Sequence, residues 1–249
     1  PKIYWSVRQS LDELNSLKLR TRLIIYLNRF LSKQATGILY NSERARVQHE
    51  GLGYFSRRSH VIPNGFDIER YIPDDSVGQQ FRKEYGIKST FNLVGHVARF
   101  HPMKDHASFL RAALITAEAF PNTVFVLAGK GVCKTEKEIT ALIPAIQLNK
   151  FLFLDEIDDV RSLFQAVDVF CLSSVSESFP NVLGEAMACG VPLISTSGGA
   201  LPEVIKDAGV IIPPKNSKEI YNSIDFLLSS PDHASHLSQK AYERVKSKF

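Results

Sequence analysis

The chain has 249 residues, is 44% hydrophobic and 22% charged, and carries a formal net charge of +4 at pH 7. That composition is ordinary for a globular protein with core enough for one large domain or two modest ones, and the mild positive charge suits an anionic ligand or a membrane surface without calling for nucleic acid. No run of about 18 apolar residues is present to span a bilayer, and Cys133, Cys171 and Cys189 form no CxxC pair, so they read as free thiols of a reducing compartment.

Residues 1–36 are dominated by one amphipathic helical pattern, in which Leu11, Leu14, Leu17, Leu23, Leu27, Phe30 and Leu31 recur mostly at spacings of three, four and seven. Lys18, Arg20, Arg22, Arg29 and Lys33 make it basic. The plain reading is a core-packing helix with a solvated face; the sharper one is a helix that also touches anionic lipid. GILYNS (37–42) reads as a short strand, with ERARVQHEG behind it as a helix stopping at Gly51 or Gly53. HVIPNGFD (60–67) is a short apolar run closed by a Pro-Asn-Gly turn. Two short strands cannot readily build an α/β domain. Residues 1–72 therefore read as the tail of a domain whose beginning lies outside the sequence, which starts at Pro1. Residues 73–89 are polar and read as a linker with a short helix ending at Gly86.

From residue 90 to 249 the pattern is regular. Strand-like runs fall at 91–98, 123–129, 151–155, 167–174, 191–196 and 209–213. Helical patterns separate them near 104–120, 135–147, 158–166, 181–189 and 200–206, with two more at 217–230 and 233–247. Continuous apolar strands alternating with amphipathic helices predict an α/β, Rossmann-like doubly wound parallel sheet. Such sheets bind ligands beyond the carboxyl ends of their strands.

Three of those loops carry candidate chemistry. After the first strand, Gly95 suits close passage of the chain by a ligand. Arg99 and Lys104 flank the next helix start, an arrangement that holds a diphosphate without a metal; two ordinary surface cations are the plain alternative. His96, His101 and His106 lie five apart, which is not a metal-ligand spacing. After the second strand, Gly129-Lys130-Gly131 is a turn that walls the same pocket, and it is not the GxGxxG of dinucleotide binding. After the fourth, Glu177 and Glu185 stand with seven residues between them, around Phe179-Pro180-Asn181. Pro180 suits the first helical position, so the amides of Asn181 and Val182 face the ligand. Two carboxylates admit an acid/base hydrolase pair. Placement favours a sugar or ribose clamp by Glu185, and one capping with one solvated glutamate is the plain alternative. Ser195–Gly199 lines the same cleft, with Glu203 beyond it.

VIPNGFD, GHVARFHPMKDH, VFVLAGKG, SESFPNVLGEAMACGVPLISTSGG, PEVI and GVIIPPKN together make residues 60–247 closely resemble the carboxyl-terminal half of retaining glycosyltransferases of family 4, which have the two-Rossmann-domain GT-B fold. Residues 1–59 look like the closing helices of that fold's amino-terminal domain. The resemblance implies transfer of a hexose-type sugar from a nucleoside-diphosphate sugar to a glycan or lipid-linked acceptor, without cofactor or metal. It implies Arg99 and Lys104 on the donor diphosphate, Glu177 on donor-sugar hydroxyls with the amides of Phe179 and Asn181, and Glu185 on the ribose. It further implies cell-envelope polysaccharide or lipopolysaccharide synthesis in the cytoplasm, at the inner face of the cytoplasmic membrane. Asp155, where many members have Gly, and Lys130, where others have Asp, Glu or Arg, depart from the pattern. Because the family's acceptor side lies in the other half, the chain is expected to bind nucleotide weakly and not to transfer sugar by itself. A non-catalytic nucleotide-sugar-binding module and a nucleotide-sugar 2-epimerase are the alternatives.

Overall fold

The computed structural model describes residues 2–249. The amino-terminal part holds β1 (Tyr4–Val7), α1 (Leu19–Leu31), β2 (Gly37–Tyr40), α2 (Glu43–Gly51) and β3 (Ser59–Val61), with the strands parallel in the order β1-β2-β3. The remainder runs α3 (Asp75–Glu84), β4 (Asn92–Val97), α4 (His106–Ala119), β5 (Thr123–Ala128), α5 (Lys137–Thr140), β6 (Phe151–Phe153), α6 (Arg161–Ala166), β7 (Val169–Leu172), α7 (Asn181–Ala188), β8 (Leu193–Thr196), α8 (Leu201–Ile205), β9 (Val210–Ile212), α9 (Ser217–Ser229) and α10 (Pro231–Lys248).

The six strands β4–β9 form one parallel sheet in the order β6-β5-β4-β7-β8-β9. Chain order reverses between β4 and β7, where Val94 pairs with Phe125 on one side and Val169 on the other. Period-two alternation supplies both cores. Leu93, Val126, Phe170 and Leu172 point into one layer, and Val94, Phe125, Leu127 and Cys171 into the other. Burial on both faces is why these strands read as unbroken apolar runs.

Several sequence expectations change. Residues 1–36 are not one helix: β1 precedes a 3-10 turn at Leu14–Ser16, and α1 begins only at Leu19. Within α1 only Ile25 is buried. Leu19, Leu23, Ile24, Leu27, Phe30 and Leu31 are exposed, so the expected core-packing face is instead solvent-facing. The short helix expected within the linker is present as α3, but it is not merely a linker element, since its Phe81 joins the core of the larger sheet. There Gly78 passes so close to α6 that an added Cβ would sit 2.1 Å from the Gln165 carbonyl oxygen. The helix expected over 135–147 is cut short because Pro144 cannot continue it, leaving α5 and a 3-10 turn at Ala145–Lys150.

The two sheets meet through an aromatic contact and a polar seam. Phe66 packs over Gly184 of α7, where any Cβ would lie 2.0 Å from its ring, and it contacts Phe179 and Phe249. Across the seam, Glu203 of α8 accepts the amides of Glu43 (3.1 Å) and Arg44 (2.8 Å) at the start of α2. Asn41 donates to Ser178 Oγ (3.3 Å) and Ser176 donates to Asp12 (2.7 Å).

Candidate functional site

Ligands of an open parallel sheet bind where strand order reverses. Here that point lies above β4 and β7, and the loops after those two strands hold Arg99 and Lys104 on one and Glu177 on the other. Lys104 ends a 3-10 turn, Pro102–Lys104, that His101 caps at the Met103 amide. Asp105 then takes a left-handed φ of 47° and caps α4 through the Ser108 amide at 3.2 Å. Asp tolerates that conformation better than most side chains. The Lys104 ammonium is ion-paired with Glu177 Oε1, which also accepts from the Ser174 hydroxyl at 2.7 Å.

These groups open onto a cleft of about 500 Å³ between the two sheets. Its larger-sheet wall carries Arg99, Lys104 and Glu177; the opposite wall carries Arg8, Glu13 and Lys18, with Thr21 from the first turn of α1. Four cationic side chains against two carboxylates leave two positive charges uncompensated, the complement of one diphosphate. Arg8 escapes a reading of the sequence, and Lys18 reads there only as part of a basic helical face. Arg8 sits just past the carboxyl end of β1, and a four-residue strand of Tyr, Trp, Ser and Val gives too little alternation to find. Its carbonyl accepts the Ser178 hydroxyl at 2.7 Å, which sets it one residue from Glu177.

The helix after β7 starts where the 181–189 pattern puts it, so the first helical position falls one residue past Pro180 and not on it. Pro180 is its N-cap (φ −84°, ψ 96°), offering no side-chain oxygen, and Asn181 is its first residue. The amides of Asn181 and Val182 therefore stand at an uncapped helix start. The Asn181 side chain is held by Asn64 at 2.6 Å. The Phe179 ring is buried against Phe66 and Phe249, which leaves its backbone as the group that can meet a ligand. Glu185 does not line the Lys104–Glu177 cleft. It faces Tyr71 and Arg70, and burial raises its carboxyl above the ordinary glutamate range despite the opposing pull of both neighbours. On the seam, burial also acts to raise Asp12, but hydrogen bonds from Arg44 and Ser176 outweigh it and the net shift is downward.

The glycine expectations divide. Gly95 lies inside β4 and a Cβ there would meet Val167 at 2.9 Å, so its role is packing under the sheet rather than ligand approach. Gly129, at φ 137°, passes the Ala98 carbonyl where a Cβ would come within 2.3 Å. Both glycine amides of the Gly129-Lys130-Gly131 turn are occupied by Asp155: Gly129 N–H by its carbonyl (2.6 Å) and Gly131 N–H by its Oδ1 (2.8 Å). Asp155 itself has φ 51°, a left-handed conformation that glycine adopts most readily, and here its side chain fixes the turn. Glu177 is placed from the other side by Gly198-Gly199. Gly199 forms a parallel bridge with Glu177, and the Ala200 amide donates to the Glu177 carbonyl at 2.7 Å.

Residues 78–244 match the family model described as "Glycosyl transferases group 1". The chain belongs to the group 1 glycosyl transferases. Among curated relatives it is 34% identical over 176 residues to the putative glycosyltransferase EpsF of Bacillus subtilis, covering 70% of this chain and 45% of that protein. It is 32% identical over 193 residues to N-acetyl-alpha-D-glucosaminyl L-malate synthase of Bacillus anthracis, covering 76% and 49%. The chain thus spans about half the length of these curated relatives. Among solved structures, HepE of Anabaena in complex with UDP and glucose superposes with a TM-score of 0.89 at 23% identity, over 100% of this chain and 67% of that one. The carboxyl-terminal domain of the group 1 protein LpcC from Francisella tularensis superposes with a TM-score of 0.66 at 27% identity, over 74% and 98%. The transferase fold is the GT-B type, as the motifs implied.

Proposed function

We propose that this chain is the donor side of a retaining, family 4 transferase that passes a hexose-type sugar from a nucleoside diphosphate to a glycan or lipid-linked acceptor. Residues 90–249 carry the donor site and 1–72 part of the acceptor side, joined through 73–89. The observation that carries the reading is the meeting of Arg99, Lys104 and Glu177 at the strand-order reversal, in one cleft with Arg8. A leaving diphosphate gains negative charge as the glycosidic bond breaks, and preorganised cations stabilise that charge most where it develops. Among the described residues no three His, Cys, Asp or Glu side chains converge on a metal position, and the cations fill the neutralising role in this reading. With Lys104 drawn to the phosphates, Glu177 is released to accept sugar hydroxyls. The carboxylates then position the substrate rather than trade protons, and the leaving diphosphate assists attack on the same face of the sugar. HepE in complex with UDP-glucose, and an Escherichia coli relative named as a galactosyltransferase acting on a diphosphoundecaprenol-linked sugar, support a UDP-sugar donor and an envelope-polysaccharide setting.

Calorimetric titration with UDP, GDP and ADP tests this reading. Saturable binding of one diphosphate is expected, and Glu185→Gln is expected to weaken it about tenfold through a lost charged hydrogen bond to ribose. The same variant is expected to melt somewhat higher at neutral pH. The sign follows from burial: the folded chain favours protonated Glu185, so ionisation costs stability as pH rises through its folded pKa. The gap in melting temperature closes below roughly pH 4. Binding of no diphosphate would end the donor reading.

The exposed apolar face of α1, with Arg20, Arg22 and Arg29 and no acidic residue in the helix, supports contact with an anionic lipid surface at the inner face of the cytoplasmic membrane. Sedimentation with phosphatidylglycerol vesicles is expected to carry the chain down, and phosphatidylcholine vesicles or a Leu23→Glu/Phe30→Glu variant are expected not to. Equal behaviour on both lipids removes the proposal.

A further inference from the structure

The turn that carries Lys104 is fastened from below by a buried polar relay that the donor reading leaves unused. His96 in β4 and Ser173, just past β7, come from the two strands that flank the switch point, and both are fully buried. His96 Nε2 lies 3.0 Å from Ser173 Oγ. The Ser173 hydroxyl lies 2.8 Å from the Lys104 carbonyl oxygen and 3.0 Å from that of Asp105. A hydroxyl has one hydrogen to give. The two carbonyls share it, so the Ser173 oxygen accepts from His96 Nε2–H. That assigns the histidine proton to Nε2 and leaves Nδ1 buried without a partner. Burial, with His106 and Lys104 nearby, holds His96 well below the ordinary histidine range, which keeps the ring neutral. The relay ends on the residues that need restraint: Asp105 is left-handed, and the Val175 amide crosses the same gap to the Met103 carbonyl at 2.8 Å.

We propose that His96 and Ser173 are positioning residues for the donor phosphates, fixing the backbone from which Lys104 reaches the diphosphate. This rests on the assignment of Lys104 to the diphosphate. A histidine that merely fills the core would affect all ligands alike, and a positioning pair would not.

The test is a double-mutant cycle read by calorimetry with UDP and UMP, whose difference isolates the terminal phosphate. Ser173→Ala is expected to weaken UDP about tenfold and UMP less than about twofold, the scale of one charge-assisted hydrogen bond set out of place. In a Lys104→Ala background the same change is expected to cost UDP less than about twofold, because the group being positioned is gone. His96→Phe should match Ser173→Ala, and His96→Gln, which keeps an N–H near the Nε2 position, should recover most of the UDP affinity. The histidine pair decides the matter if Ser173→Ala folds poorly. Equal losses for UDP and UMP, or a full tenfold loss in the Lys104→Ala background, overturn the proposal. If the unaltered chain binds no diphosphate, the donor reading fails first and the positioning role with it.

Discussion

Lys104→Ala is expected to lower the affinity of the chain for the proposed donor diphosphate by about thirtyfold or more, the largest loss of any single side chain in the cleft. A charged hydrogen bond to phosphate contributes about 1.5–3 kcal/mol, and the cleft geometry gives Lys104 little competition from water. The side chains of Lys104 and Glu177 are only 19% and 14% exposed, so the ion pair they form is poorly screened. Removing the ammonium leaves a half-enclosed carboxylate with the Ser174 hydroxyl alone, and the melting temperature should fall along with affinity. The double variant Lys104→Ala/Glu177→Gln separates the two effects. It should regain the melting temperature, since the orphaned charge is gone, and should not regain binding. In a full-length transferase the same single variant should cut turnover at least tenfold at saturating donor. Unchanged diphosphate affinity in Lys104→Ala would remove Lys104 from the donor site.

Gly198→Ala is expected to be the most damaging small substitution for folding, at about 2–4 kcal/mol. A Cβ at that position would stand 1.9 Å from the Val175 carbonyl oxygen and 2.6 Å from its carbon. Both are backbone atoms, so no side chain can swing away, and the Ser174–Glu177 segment itself would have to move. A fall in melting temperature of roughly 5–15 °C follows from the usual scaling for this chain length. Because the displaced segment carries Glu177, the sugar contact proposed for that residue should be lost with stability. Gly51→Ala is the matched control: a Cβ there meets nothing within 4 Å and should be nearly neutral. A Gly198→Ala chain that melts with the unaltered one would refute the close packing of the two loops.

The larger sheet was legible because its strands are buried on both faces and its loops end in residues with few other uses. Pro180, Asn181 and the two spaced glutamates announce a strand, a turn and a helix start from local chemistry alone. Arg99 and Lys104 could be placed near them once the sheet was recognised, since both follow the strand at which chain order reverses. What stayed hidden depends on contacts between distant segments. Gly95 resembles a ligand-contact glycine until Val167 is seen to occupy its missing side chain. Asp155 looks like a departure from pattern until its φ of 51° and its bond to the Gly131 amide are known. Arg8 follows a strand too short to announce itself. The apolar stripe of α1 has helical spacing, but spacing does not say whether a face turns inward, and here most of it turns out.

The seam between the two sheets has a mechanical consequence. Helix α2 draws its first amides' acceptor from Glu203, a residue some 160 positions away, so the helix is completely terminated only while both halves are together. Ser176–Asp12 and Asn41–Ser178 are joints of the same sort. Each is a hydrogen bond that water can replace at a net cost of about 0.5–1.5 kcal/mol, or somewhat more at the carboxylates. A joint made this way behaves like a latch rather than a weld: its polar part sets one register when shut, and the apolar surface it uncovers on parting is the Phe66 contact with Phe179 and Phe249. If the cleft holds a donor as proposed, such a closure is strong enough to align its walls and weak enough to part as ligands come and go.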